Sequence, residues 1–227
     1  MTRTGRAASI LIILTFACVA VAGFPQGSFK PPQVVSVTDA YIPYRVVFDG
    51  FVILEVFLDG DGTLVETKAM RDPGTMLPAA VAAVKTWKFR PAEMSGRTLP
   101  SAMTTVFVYR PANNGPAGTE PPKDFRPVRP EPPPRSEGAP DYTPAGIVSV
   151  SYPDYPVNSV AWGSVVIQAT VDASGVAENP LVLRGDAPFR ELAIDALKKW
   201  RFEPAKSQGK AVPSQLAIAF TFQTPSS

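Results

Sequence analysis

The chain has 227 residues, with 22 basic and 20 acidic side chains, 26 prolines, one cysteine and no histidine. Without histidine, and with Cys18 inside an apolar leader, Ser-His and Cys-His catalysis and the commonest metal ligand are excluded. Setting aside Arg3 and Arg6 leaves 20 basic residues against 20 acidic ones, a balance with no electrostatic footprint for nucleic acid or an anionic membrane surface.

Arg3 and Arg6 precede an apolar run over residues 7–21, and Ala20-Val21-Ala22 supplies a small-x-small cleavage pattern. Residues 1–22 therefore read as a signal peptide for export. The other reading is an uncleaved anchor over residues 7–24, a stretch approaching the roughly 20 residues that span a bilayer. Either places the remainder outside the cytoplasm. Thr15 and Phe16 before Cys18 do not suit a lipoprotein signal, and the mature chain has no cysteine for a disulfide.

Beyond the leader, one pattern occurs twice. Trp87-Lys88-Phe89-Arg90-Pro91-Ala92 returns as Trp200-Arg201-Phe202-Glu203-Pro204-Ala205, and the displacement of 200 − 87 = 113 holds without a gap through the flanks. Roughly a quarter of the positions are identical between residues 35–110 and 148–223. The chain is thus read as one module used twice. The boundaries are residues 31–110 and 147–224, with residues 111–146 between them.

In the first copy Val52, Leu54, Val56 and Leu58 alternate as a strand, and Asp59-Gly60-Asp61-Gly62 makes a tight turn. Met76, Ala79, Ala80, Ala83, Val84 and Trp87 then form one helical face. Met103, Thr105, Phe107 and Tyr109 line a last strand that Val106 and Val108 make apolar on its other face too. Such a strand suits pairing with another, including one from a second molecule in a homodimer. Residues 111–146 are rich in proline and charge, with apolar side chains scarce and unpatterned. They read as a disordered, polyproline-biased linker.

The second copy repeats the order. Val165, Ile167, Ala169 and Val171 alternate, Asp172 to Gly175 turn, and a strand centred on Val182 follows. Asp186 and Pro188 mark a helix start, Phe189, Leu192, Ala193, Ala196, Leu197 and Trp200 give its apolar face, and Pro204 ends it. Leu216, Ile218, Phe220 and Phe222 alternate as the last strand. The fold class expected is α+β: two repeated small two-layer modules, each a three-stranded antiparallel sheet with a helix packed on one face.

Tyr155-Pro156, Gly163-x-Val165, Val171-Asp172-x-x-Gly175-Val176, the Trp200 to Ala205 ending and Gly209-Lys210-x-Val212 together resemble the C-terminal domain of TonB and its TolA-like relatives. The resemblance covers nearly all of the second copy and, more weakly, the first. It implies a periplasmic, or inner-membrane-anchored and periplasm-facing, protein that takes part in energy transduction for transmembrane transport. The partner would be an extended segment of an outer-membrane transporter or another envelope protein, added as a strand beside residues 214–223, where no later element covers the edge. The side chains placed to meet it are Ser149, Ser151, Asp154, Gln215, Ala217, Ala219 and Thr221. A non-transducing scaffold, adaptor or sensor is the rival reading. No catalysis, cofactor, metal or nucleic-acid partner is expected.

Other motifs favour plain readings. Asp59 to Leu64 lacks the later oxygen ligands of a calcium loop and reads as a hairpin turn. Trp87 and Trp200 complete helical faces and read as core. Arg71 and Arg184 recur before each helix; either suits a carboxylate, and a solvated charge is the plainer reading. Asp39 and Asp49 belong to no catalytic constellation.

Overall fold

A computed structural model describes residues 29–39, 48–71, 74–111, 141–155, 162–185 and 187–223. The expected signal peptide or anchor, and most of the expected linker, lie outside the described residues. Among those described, no helix is long and apolar enough to cross a membrane.

Two runs of elements follow one another. The first comprises β1 (Phe29–Lys30), β2 (Gln33–Ser36), β3 (Gly50–Leu58), β4 (Leu64–Arg71), α1 (Leu77–Thr86), β5 (Lys88–Arg90), β6 (Ala92–Met94), β7 (Arg97–Leu99) and β8 (Ser101–Pro111). The second comprises β9 (Tyr142–Thr143), β10 (Gly146–Ser149), β11 (Gly163–Val171), β12 (Ala177–Arg184), α2 (Phe189–Leu197), β13 (Arg201–Glu203), β14 (Ala205–Ser207), β15 (Lys210–Val212) and β16 (Ser214–Gln223). Strands β9 to β15 begin and end 113 residues after β1 to β7.

The long strands do not form two sheets of three. They make one six-stranded sheet in the order β12-β11-β16-β8-β3-β4. Every pairing in it is antiparallel except the central one, where β16 and β8 run parallel from Ala217 beside Thr105 to Gln223 beside Pro111. This corrects the expectation of separate three-stranded sheets. The physical reason lies in β8, whose residues are buried on both faces. One face packs under α1 and the other needs a second apolar surface.

The parallel register explains how both faces are used. Ala217 pairs with Thr105, a displacement of 217 − 105 = 112, one residue short of the sequence repeat. Because strand side chains alternate, a one-residue offset turns equivalent positions to opposite faces. Val106, which points away from α1, therefore stands beside Ile218, which points toward α2. The two helices lie on opposite faces of the sheet. Val52, Leu54, Val56, Met103 and Phe107 share a core with Met76, Ala80, Ala83 and Trp87 of the α1 region. Phe51, Ile53, Val106 and Val108, from the same two strands, join Val165, Ile167, Leu216, Ile218 and Phe220 with Ala193, Leu197 and Trp200.

The segments that enter each run cross to the other. Val34 donates its N–H to Gln168 Oε1 at 2.8 Å, and Asp39 receives two hydrogen bonds from Arg184 at 2.7 and 2.6 Å. In the opposite direction, Thr104 Oγ1 donates to the carbonyl of Ala145 at 2.6 Å, and the Tyr152 ring lies tilted against that of Phe51, centroids 6.1 Å apart. The two tryptophans fasten these segments at equivalent places. Trp87 Nε1 donates to the Thr38 carbonyl at 3.1 Å and Trp200 Nε1 to that of Ser151 at 2.8 Å.

Local details adjust the sequence reading. α2 ends at Leu197, before Trp200 and well before Pro204, because the chain turns out to pair: Phe202 N–H donates to the Gly175 carbonyl at 3.0 Å and β13 pairs with β10. Its N-cap is Pro188 without a side-chain cap; Asp186 lies outside the described residues. Both hairpin turns are built on an aspartate. Asp59 Oδ1 accepts from the N–H groups of Asp61 and Thr63, and Asp172 Oδ1 from those of Ser174 and Val176. The Val176 N–H, first among several such donors, holds the Asp172 carboxyl below the usual carboxylate range. Gly175 closes its turn at φ +84°, where a Cβ would stand 2.1 Å from the Phe202 carbonyl oxygen.

Candidate partner-binding edges

The surfaces the expected strand addition calls on are strand edges. A strand at the rim of a sheet presents unpaired N–H and C=O groups to any extended segment that comes alongside. The six-stranded sheet has two rims, β4 and β12.

The outer edge of β16, expected to be uncovered, is occupied by β8 over seven residue pairs. The element that covers it comes earlier in the chain. The seven side chains expected to meet a partner are distributed accordingly. Ala217 and Ala219 are fully buried and belong to the α1 core. Thr221 is 3% exposed beside Tyr109, and Gln215, half-buried on the same strand, pairs across to Thr170 of β11. Ser151 is 4% exposed and gives its carbonyl to Trp200. Ser149 is half-buried opposite Arg201, and Asp154 is exposed. Of these seven, Asp154 stands clear of the protein and Ser149 is partly reachable.

The β12 rim is irregular. Asn179 adopts φ +49° and Pro180, without an N–H, follows it. The ladder with β11 slips at this point, between the pairs Gln168 with Leu181 and Thr170 with Glu178. A proline and a bulge on an edge strand are the ordinary means of blunting it.

The β4 rim differs at the equivalent positions. Glu66 and Thr67 stand where Asn179 and Pro180 stand in the second run, and Phe57 to Glu66, Val56 to Thr67 and Glu55 to Lys68 pair in unbroken register with β3. Alongside it runs an open groove of about 720 Å³, lined on one side by Leu64, Val65, Glu66 and Thr67 and on the other by Lys85, Trp87, Lys88 and Phe89. Val65 is 68% exposed. Lys85 and Lys88 are exposed and make no ion pair among the described residues. Their equivalents are engaged: Lys198 pairs with Asp195 at 2.8 Å, and Arg201 donates to the carbonyls of Trp200 and Lys198. Sequence reasoning missed this groove, although Thr67 against Pro180 was a readable difference between the copies.

Of the charges singled out from the sequence, Asp39, Asp49 and Arg184 close ion pairs within the molecule. Arg184 holds Asp39 in a two-point pair, which, ahead of the Ser164 hydroxyl contact, keeps the Asp39 carboxyl below its usual range. Arg110, 4% exposed, meets Asp49 at 3.1 Å. Arg71 lies 4.2 Å over the Phe51 ring. Burial, with the Asp49 charge secondary, pushes the Tyr152 hydroxyl up to about 12. Among the described residues no cluster of three or more metal-ligating side chains occurs.

The described residues form a mixed α/β structure of many strands and two helices. Residues 148–224 match the family model of the Gram-negative bacterial TonB protein C-terminal, a periplasmic protein-interaction domain. No curated protein matches the chain.

Proposed function

We propose that this chain is a non-catalytic binding protein of the bacterial cell envelope, periplasmic or anchored facing the periplasm, that serves energy transduction for transmembrane transport. It carries the TonB C-terminal type of module twice. Support for the second copy comes from the 113-residue displacement, which recurs in the bounds of β1 to β7 and β9 to β15. The module takes an extended segment of an outer-membrane transporter or another envelope protein as an added strand.

The observation that carries this reading is the parallel seam of β16 and β8. The last strand of the family-matched module has already recruited an extended strand along its outer edge, and that strand comes from the same chain. A module that adds a strand in cis has the edge chemistry to add one in trans. Gln215, Ala217, Ala219 and Thr221 meet a partner strand where β8 gives way, with Ser149 and Asp154 beside it.

Deletion of the protein tests the transport role. Uptake of cargo that crosses the outer membrane against a gradient should fall, and photocrosslinkers placed along the sheet rims should capture an outer-membrane transporter. Unchanged uptake with crosslinks confined to other envelope proteins would replace transduction by the scaffold or adaptor role. A disulfide between Val106→Cys and Ile218→Cys, neighbours across the seam, locates the site: crosslinks lost under oxidation place the partner on β16, and crosslinks retained place it on an outer rim.

A further inference from the structure

The two modules share a sequence and a layout, yet they treat their outer rims differently, and that difference points to a site. Three features of β12 and its surroundings oppose an added strand: the left-handed Asn179, the N–H-less Pro180, and the engagement of Lys198 and Arg201 within the module. At each equivalent position the first module has the permissive choice. Glu66 and Thr67 stay in register with Phe57 and Val56 without a left-handed residue or a proline, the slips of this ladder falling on either side at Val65 and Met70, and Lys85 and Lys88 make no ion pair among the described residues across an open groove.

We infer that the β4 rim, with the groove between it and Lys85, Trp87, Lys88 and Phe89, is the docking site for an extended acidic segment of a partner polypeptide. The segment pairs its main chain with β4 over residues 66–69, the run that stays in register with β3. Alternate side chains then point to opposite faces of the sheet, so those on the α1 side enter the groove. The groove is lined by Trp87 and Phe89, both largely buried, and by two exposed cationic side chains that make no ion pair among the described residues. Glu66 is drawn to Lys68 at 3.9 Å, which leaves Asp61, at the hairpin end, as the one lining carboxylate without an ion pair among the described residues. The charge balance in the groove therefore favours carboxylates on the face that meets α1. This rests on the reading of the chain as a strand-adding binder and places the added segment on the β4 rim in place of the β16 edge that β8 holds.

The test uses the mature chain and a synthetic probe, an acetylated and amidated Thr-Val-Glu-Val-Glu-Val-Thr peptide, beside its counterpart with Gln for Glu. Binding is followed by calorimetry and by amide shifts. The acidic probe should shift the amides of Val65, Thr67 and Ala69 and bind at least tenfold tighter than the Gln form. Thr67→Pro should weaken it at least tenfold, and Lys85→Glu with Lys88→Glu should do the same while leaving the Gln probe unchanged. Proline at the equivalent position 180 indicates that the module tolerates it. Should Thr67→Pro nonetheless unfold, the amide shifts of the unaltered chain decide the matter. Shifts confined to β16 or β12, equal affinity for the two probes, or a mass that doubles with concentration because a second copy takes the rim would each overturn the inference. Loss of transporter crosslinks in cells with the probe still bound at β4 would instead count against the proposed transport role alone.

Discussion

Val106 belongs to the first run in sequence and to the second run's core in space, which makes it a probe of whether the two halves fold as one. Its side chain is fully buried, with Ile53 beside it on β3 and Ile218 beside it on β16. Were the halves separate modules on a spacer, Val106 would face solvent on the side opposite α1, and Val106→Ala would cost no more than a few tenths of a kcal/mol of strand preference. In the joined sheet the change removes two methyl groups from a closed core. At about 0.8 kcal/mol per buried carbon, with a cavity contribution added, the loss is about 2–3 kcal/mol. The indole N–H signals of Trp87 and Trp200 report the two halves separately in a urea titration, without any further substitution. With a slope of about 2 kcal/mol per molar, both signals should move together to a midpoint about 1 M lower. A Trp200 midpoint unmoved by Val106→Ala, or two separated transitions in the unaltered chain, would refute the shared core.

Three further outcomes can be checked. Gly175→Ala and Gly96→Ala meet the same backbone penalty, φ being +84° and +81°, but a Cβ at Gly96 has nothing within 4 Å among the described residues, whereas at Gly175 it meets the Phe202 carbonyl. Thermal denaturation should show a loss of about 1–2 kcal/mol for Gly96→Ala and more than about 4 kcal/mol for Gly175→Ala; equal losses would contradict the close approach of turn and β13. Asp39 has its folded carboxyl below the ordinary 3.8 because Arg184 binds the ionised form, so the unfolded chain takes up the proton first as pH falls. The pair's contribution is complete above about pH 4 and disappears as pH drops through the folded value. Both side chains are half exposed, so Asp39→Asn should cost no more than about 1 kcal/mol at neutral pH, with the gap to the parent chain closing in acid; a gap constant from pH 7 to pH 2 would show that charge is not its origin. Trp200→Phe should lose the bond to Ser151 and part of its buried volume, about 2–3 kcal/mol, and release residues 145–155 to faster amide exchange; unchanged exchange would remove Trp200 as the fastening point.

Periodicity carried a large part of the fold. The faces running from Met76 to Trp87 and from Phe189 to Trp200 are buried as the 3.6-residue spacing indicates, and the alternating strands on either side of Gly62 and Gly175 form the hairpins. The three-residue strands, such as Lys88–Arg90 and Arg201–Glu203, are too short to show a period. They form because their partners, β2 and β10, are elsewhere in the chain. The seam was half legible. Val106 and Val108 announced a second buried face on β8, but Gln215, Ala217, Ala219 and Thr221 gave no matching sign on β16. Alanine carries little hydrophobic signal of its own, and its small volume is what lets Ala217 and Ala219 lie beneath the bulkier α1 core. Among the site residues, Ser151 reads as polar and surface-seeking, yet its carbonyl, which no sequence pattern displays, is what fixes its place.

The seam also bears on how such a chain avoids indiscriminate pairing while presenting strand edges. Two separate modules would expose four long rims, among them the apolar edges of β8 and β16, and an uncovered apolar edge invites indiscriminate pairing. Parallel pairing removes both of those at once. It is available because equivalent strands with a one-residue offset match the α1-averse face of one to the α2-facing side of the other. Of the two rims left, Asn179 and Pro180 blunt one, and the other keeps Glu66 to Ala69 in register beside lysines that make no ion pair among the described residues. On the proposed function, two modules in one chain permit a division of labour that a lone module lacks: one pair of edges holds the molecule together, one rim is closed, and one is left to a partner. Divergence between the copies then falls where those roles differ, as at Thr67 against Pro180, and identity persists where both need the same geometry, as at Gly62 and Gly175 or Trp87 and Trp200.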